Sequence, residues 1–227
     1  MAHDRPILRI LQWTLITAGV VLIGFWAGSR LQGRFGGHSD IERFKKARAE
    51  VSGATRSPAT ENGLPLELPV DTSLWAEDRI EEYEESLDHE FEAPLAILSI
   101  PKIDLEVAVL AGTTELVLNR GVGHITGTPL PGEPGNVGIA GHRDGYFRGL
   151  KDIAAGDVIQ IETLTGDSTY TITETWIVEP PDVWVLEPTE TPSLTLVTCY
   201  PFYFAGSAPQ RFIVRAERVD PEEPSPH

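Results

Sequence analysis

The stretch LTLVTCYPFYFAGSAPQRFIVRAERV, residues 194–219, contains two apolar runs separated by a segment with proline and glycine. The runs LTLVTCY (194–200) and RFIVRAERV (211–219) are rich in Thr, Val and Ile, which are enriched in β-strands. Proline and glycine between them are typical turn residues. The stretch therefore predicts two successive strands joined by a short loop.

Similar short runs occupy the chain before this stretch. They are LAILSI (95–100), EVAVLAG (106–112), NVGIAGH (136–142), DVIQIET (157–163) and TYTITETWIV (169–178). Turn signals such as LPGEPG (130–135) and TGD (165–167) separate them. This pattern predicts an all-β domain, and a closed or nearly closed antiparallel β-barrel fits better than an α/β sheet. We expect two short helical turns, near residues 114–118 and 146–150.

The N-terminal region differs from the rest in composition. Residues 10–27 (ILQWTLITAGVVLIGFWA) carry no charge and approach the length that a membrane-spanning helix needs. Trp13 and Trp26 lie near the two ends, as suits the headgroup interface. We expect a retained anchor rather than a cleaved signal peptide, because no clean cleavage site follows. More basic residues follow this span than precede it, which by charge bias alone would place the C-terminal bulk in the cytoplasm.

Two polar segments follow the predicted anchor. Residues 40–51 (DIERFKKARAEV) predict a short helix that Asp40 caps, and residues 52–69 have the composition of a linker, so we expect little core there. Residues 75–92 form an acidic run with apolar residues Ile80, Tyr83 and Leu87 at helical spacing. This run predicts an amphipathic helix that packs one stripe on the barrel; the alternative is a flap or regulatory arm.

Composition limits the function before any motif is considered. The chain of 227 residues has a formal net charge of −16, which makes nucleic acid an improbable partner. Cys199 is the only cysteine, so the fold has no intrachain disulfide and one free thiol.

Three side chains in the predicted barrel have the chemistry for acyl transfer. Cys199 is a candidate nucleophile, His142 a proton shuttle that favours the thiolate when charged, and Arg211 a donor for an oxyanion or a carbonyl. Each follows or lies in an apolar strand, so all three can meet at one rim. Taken singly, each has an ordinary structural interpretation: a buried thiol, a turn histidine and a solvated strand arginine.

The segments TLVTCYPF and APQRFIV resemble the cysteine strand and the following arginine strand of sortases, and GNVGIAGHRDGYFRGL resembles the histidine segment of that family. The similarity covers about residues 95–219, including LSIPKIDLEVAVLAG and GVGHITGTPLPGEPGN. The short loop between the last two strands is most similar to class D sortases, including those of Gram-negative bacteria.

The resemblance implies a closed eight-stranded sortase barrel and a cysteine transpeptidase. Such an enzyme cleaves an LPxTG-like motif of a secreted protein between Thr and Gly, holds the acyl part as a thioester and transfers it to an amine of peptidoglycan or pilin type. It implies catalytic roles for Cys199, His142 and Arg211. The corresponding domains are a cytoplasmic stub and anchor (1–31), a polar and acidic linker (32–92), the catalytic barrel (93–220) and a disordered tail (221–227), with the barrel extracytoplasmic.

Residues near these three have no predicted catalytic role. We expect Thr198 and His124 to shape or border the substrate site, Thr198 from the strand face opposite the thiol. Asp144 lies at an awkward position to orient His142. No cofactor is expected, and neither calcium nor a zinc site of His124, His142 and Cys199 has supporting ligand spacing.

Three alternatives stay open at this point. A hydrolase of the same fold would resolve the thioester with water. An L,D-transpeptidase would be another anchored cysteine enzyme, although its usual motif is missing around Cys199. An inactive anchored module would only bind a peptide.

Overall fold

The computed structural model describes residues 36–51, 70, 72–73, 75–203, 206 and 208–219, and these residues belong to one compact unit. Eight strands close a barrel in the order β1-β2-β3-β4-β7-β8-β6-β5. Their bounds are β1 Ala96–Ile100, β2 Leu105–Ala111, β3 Val122–His124, β4 Asn136–Ala140, β5 Val158–Thr163, β6 Asp167–Val178, β7 Ser193–Tyr200 and β8 Gln210–Val219. The predicted closed barrel is therefore confirmed.

The expectation of a purely antiparallel barrel was wrong, because two neighbouring pairs, β2 with β3 and β4 with β7, run parallel. A parallel pair needs a crossover, and a short helix, Glu115–Arg120, lies between β2 and β3. Strand β3 was not among the strands that the apolar runs predicted. It has only three residues, too few for a two-residue alternation to show.

Alternate residues of the strands fill the barrel interior. Leu98 of β1, Ile161 of β5, Ile172 of β6 and Leu194 and Leu196 of β7 are all buried in one apolar cluster. On β7 the intervening positions Thr195, Val197 and Cys199 therefore face outward. The rigid core thus fixes which way the thiol points.

In the part of the chain that the structure describes, three α-helices accompany the barrel: α1 Gly36–Val51, α2 Glu77–Ser86 and α3 Glu115–Arg120. Short 3₁₀ helices lie at Pro101–Ile103, Tyr146–Asp152 and Val183–Leu186. The helical turns expected near residues 114–118 and 146–150 are confirmed.

Helix α1 contributes a core contact that the sequence did not predict. Ile41 and Phe44 are buried against Ile97 and Ala108 of the barrel. Asp40 does not cap the helix as expected, because the helix begins at Gly36 and Asp40 lies inside it. Its carboxylate instead accepts a hydrogen bond of 2.6 Å from Nε of buried Arg120. This segment is thus partly packed rather than all linker.

We expect Phe44→Ala to lower the free energy of unfolding by about 3 kcal/mol, since Phe44 has no exposed surface and its removal leaves a cavity. The lower end of the usual range applies because the cluster around Phe44 is small. Urea denaturation measures the loss, with Lys46→Ala on the exposed side of the same helix as the control. Equal midpoints for the two variants would contradict the docking of α1.

Helix α2 is shorter than the run predicted for it, but its packing agrees with the amphipathic pattern. Tyr83 is buried in the main core, and Leu87 packs against it just past the helix end. Trp75 and Tyr83 both meet the ring of Tyr146 edge to face. These contacts hold α2 beside the loop that follows β4.

Some predictions fall on residues outside the described part of the chain. They are the anchor at 10–27, the linker at 52–69 and the tail at 221–227. Among the described residues, no helix is long and apolar enough to cross a membrane.

Candidate active site

Cys199 lies near the end of β7 and is partly exposed as a free thiol. Its partner across the antiparallel pair with β8 is Arg211. Residues directly opposite each other in such a pair project to the same face with Cβ atoms about 5 Å apart. The register therefore brings together the two residues that the sequence separates by a loop.

His142 follows β4, which is parallel to β7, so both strands end at the same rim. The backbone on either side of His142 is fixed. Gly141 N donates to Val197 O at 3.1 Å, and the carbonyl of His142 accepts from Gly145 N at 3.3 Å and Phe147 N at 3.1 Å. A Cβ at Gly141 would lie 2.7 Å from the Phe147 ring, so glycine is required for this close approach.

Thr198 supports the same loop from behind. Its side chain is buried, on the strand face opposite Cys199, and its hydroxyl donates to the carbonyl of Gly141 at 2.8 Å. His124 is also buried, with Nε2 3.0 Å from Pro129 O and 3.1 Å from Thr128 Oγ1. Neither residue lines the cavity that contains Cys199.

Cys199 and His142 line one open cavity of about 630 Å³. Three arginines contribute to its wall: Arg79 of α2, and Arg143 and Arg148 from the loop and turn after β4. Arg143 donates to the carbonyls of Pro201 and Gly206, and so holds the β7–β8 loop. Arg211 does not line this cavity; its Nη1 donates to the carbonyls of Ala208 at 3.3 Å and Gln210 at 2.9 Å.

One nitrogen of the His142 ring has no hydrogen-bond partner among the described residues. Nε2 is buried and makes no hydrogen bond with any residue in the described ranges. Glu115 Oε1 lies 3.3 Å away without hydrogen-bond geometry. An imidazole nitrogen without a partner is chemically able to take or give a proton, and burial shields it from solvent in this state.

Arg79 is the main charged neighbour of this ring that sequence reasoning missed. Its guanidinium pairs with Asp144 at 3.2 Å and Glu115 at 3.4 Å, and also bonds Glu82 and Asn119. Asp144 therefore pairs with Arg79, on the described contacts, rather than orienting His142. The helical pattern predicted α2, but no local signal places its arginine beside a histidine so distant in the chain.

The pKa of His142 lies below its usual value of 6.5, first because the ring is buried and second because Arg79 is positively charged; Glu115 and Asp144 oppose the shift. We expect Arg79→Gln to raise this pKa, because the two carboxylates then favour the imidazolium form without an opposing charge. Glu115→Gln should lower it further. NMR titration of the His142 ring measures both, and shifts of the same sign in the two variants would contradict this electrostatic assignment.

Comparison with known proteins agrees with this arrangement. Residues 98–219, more than half of the chain, match the sortase domain. Sortase D of Bacillus subtilis is 39% identical over 54% of this chain and 63% of its own length, just under two thirds. Sortase A of Listeria monocytogenes is 26% identical over 72% of this chain and 70% of its own.

The fold agrees with a solved class D structure as well. The Clostridium perfringens sortase D5 transpeptidase superimposes with a TM-score of 0.52 at 33% identity, over 62% of this chain and 88% of that one. The resemblance drawn from the His142, Cys199 and Arg211 segments is thereby confirmed at the level of the family. The chain belongs to the sortase family.

Proposed function

We propose that this chain cleaves an LPxTG-like sorting motif between Thr and Gly and transfers the N-terminal part of its protein substrate to an amine acceptor. The observation that carries the proposal is the shared cavity of Cys199 and His142, with Arg211 paired to Cys199 across β7 and β8. Nucleophile and proton shuttle thus open onto the same space, as acyl transfer requires.

The reaction proceeds in two halves. The thiol proton of Cys199 passes to His142, the sulfur bonds to the Thr carbonyl carbon, the peptide C–N bond breaks, and His142 gives that proton to the departing amine. In the second half a neutral amine attacks the thioester carbonyl, the C–S bond breaks, and the amine proton passes through His142 to the sulfur. One group acts first as acid and then as base.

Arg211 is assigned to the donor peptide. It lies beside Cys199 on the neighbouring strand but outside the cavity lining, which suits a peptide that approaches the thiol from the β8 side. Its guanidinium has five N–H donors, of which Nη1 is engaged with backbone carbonyls. The remaining donors suit a peptide carbonyl or the oxyanion that develops from it.

Arg211→Lys tests this assignment. We expect kcat/KM for the donor peptide to fall about 10²-fold, as when one oxyanion donor is removed, with the dependence on acceptor concentration unchanged. Arg218→Lys, on the same strand, is the matched control. Equal activity of both variants would contradict a donor-side role for Arg211.

We also propose that residues 1–31 anchor the chain and that the catalytic barrel is extracytoplasmic. Sorting signals belong to secreted proteins, so the enzyme must meet them beyond the membrane, against the direction that basic residues favour. Reporter fusions at the C-terminus of the full chain measure the orientation. A cytoplasmic barrel would contradict the proposed function.

The function itself is tested with the full chain in detergent, a panel of LPxTG-like peptides and triglycine. A transferase gives the triglycine-ligated product in preference to the free acid, whereas a hydrolase gives the free acid. Binding of the peptides without cleavage, equal in the wild type and in Cys199→Ala, would instead indicate a binding module.

A further inference from the structure

The cavity beside His142 is the space for the acceptor amine. His142 protonates the leaving amine and later deprotonates the incoming one, so both occupy the side of the acyl carbon that faces its ring. The described cavity lies on that side, since His142 lines it and Arg211 does not. The side chains that line the cavity therefore contact the acceptor rather than the sorting motif.

Arg148 is a cation of this wall that forms no salt bridge with a carboxylate among the described residues. Its side chain lies over the ring of Tyr203, 4.6 Å from the centroid, and Nη1 is 3.5 Å from the carbonyl of Phe202. Both are uncharged partners. Arg79, in contrast, is bonded to three carboxylates. A guanidinium stacked on an aromatic face keeps the N–H groups at its edge available for a planar anion.

An arginine without a salt bridge is unusual in a chain with a net charge of −16. Such a surface repels anions, and 34 Asp and Glu residues are available to pair with 18 Lys and Arg. Three arginines and two aspartates, Asp78 and Asp144, line the cavity, so positive charge is in excess there, and Arg148 adds to it without a carboxylate partner among the described residues. That charge suits a ligand with a negative group.

We propose that Arg148 recognises a carboxylate carried by the amine acceptor, so that the cavity selects amines that are also acids. This inference rests on the proposed transpeptidase function and names the acceptor class. Arg148 is a specificity residue in it: it holds the acceptor by its carboxylate, while the amine reaches the thioester and gives up its proton to His142.

Pairs of acceptors that differ only in the carboxylate test the proposal. The full chain in detergent is acylated with a donor peptide, and kcat/KM is measured for triglycine and for triglycine amide. The negative surface favours the amide, which carries the higher net charge, so a preference for the acid must arise locally. We expect the acid to be preferred about tenfold, as befits one partly exposed charge-assisted hydrogen bond.

Arg148→Gln should bring this preference close to one, and Arg148→Lys should retain part of it. Lys151→Gln, which removes the same charge from the same 3₁₀ helix but outside the cavity lining, should leave it unchanged. The preference is the ratio of kcat/KM for the acid to kcat/KM for the amide, measured with one variant. A general loss of stability or turnover lowers both values and leaves their ratio unchanged. Repeating the pairs with glycine and diglycine gives the acceptor length, at about 3.6 Å per residue, at which the preference is largest.

Two results would overturn the proposal. A wild-type ratio near one, or a ratio that Arg148→Gln leaves intact, shows that the cavity does not read the carboxylate. Thioester formation is measured beforehand in the same samples. Its absence in the wild type refutes the proposed function together with this inference, whereas a normal thioester with a ratio near one refutes the acceptor inference alone.

Discussion

Cys199→Ala is expected to form no covalent intermediate and to cleave sorting peptides on the order of 10⁴-fold more slowly than the wild type, or worse. Cys199 is the only cysteine of the chain, so no other thiol can replace it. Without the nucleophile, the base has no proton to take, so it no longer contributes to the rate. The rate losses from removing either residue are therefore large and do not add up. Peptide cleavage followed by chromatography measures the effect.

The fold should survive this change. Cys199 is partly exposed at a strand end, outside the buried clusters of the barrel, so alanine leaves no large cavity. Circular dichroism and the urea midpoint serve as controls. Cleavage by Cys199→Ala within tenfold of the wild-type rate would show that the thiol is not the nucleophile.

His142→Gln is expected to slow both half-reactions, each by roughly 10³-fold, which lies within the usual range for general acid–base catalysis. Glutamine occupies a similar volume and keeps hydrogen-bonding groups, but it cannot transfer a proton at neutral pH. Thioester formation is followed by quenched-flow mass spectrometry, and its resolution by the consumption of triglycine.

His89→Gln is the matched control, because His89 is exposed and does not line the cavity. The two-step role of His142 requires that both steps slow down together. If His142→Gln formed the thioester at the normal rate and only failed to release it, the ring would not be the acid of the first step.

The sequence predicted the strands that form the site well, because each has a clear apolar run. The segments around His142, Cys199 and Arg211 carry both the strand pattern and the family resemblance, and the β7–β8 register does pair Cys199 with Arg211. The apolar runs did not predict β3 or the two parallel strand pairings. Three residues give no periodicity, and strand direction depends on crossovers rather than on local composition.

The helical segments show a different kind of limit. The run at residues 40–51 predicted a short polar helix but not the burial of Phe44, because the barrel surface that receives Phe44 lies far along the chain. Asp40 was interpreted as a helix cap, because its buried partner Arg120 is equally remote. Arg79 and Arg148 were not singled out either. Their significance depends on which carboxylates they meet, and only the folded chain shows that.

The most direct test of the account is to trap the acyl-enzyme. The full chain in detergent is mixed with an LPxTG-like peptide, quenched in acid and analysed by intact mass and by proteolytic mapping. The account predicts an adduct with the mass of the peptide through its Thr, attached to Cys199 and released by hydroxylamine. Cleavage of the same peptides without an adduct, or an adduct on any residue other than Cys199, would contradict it.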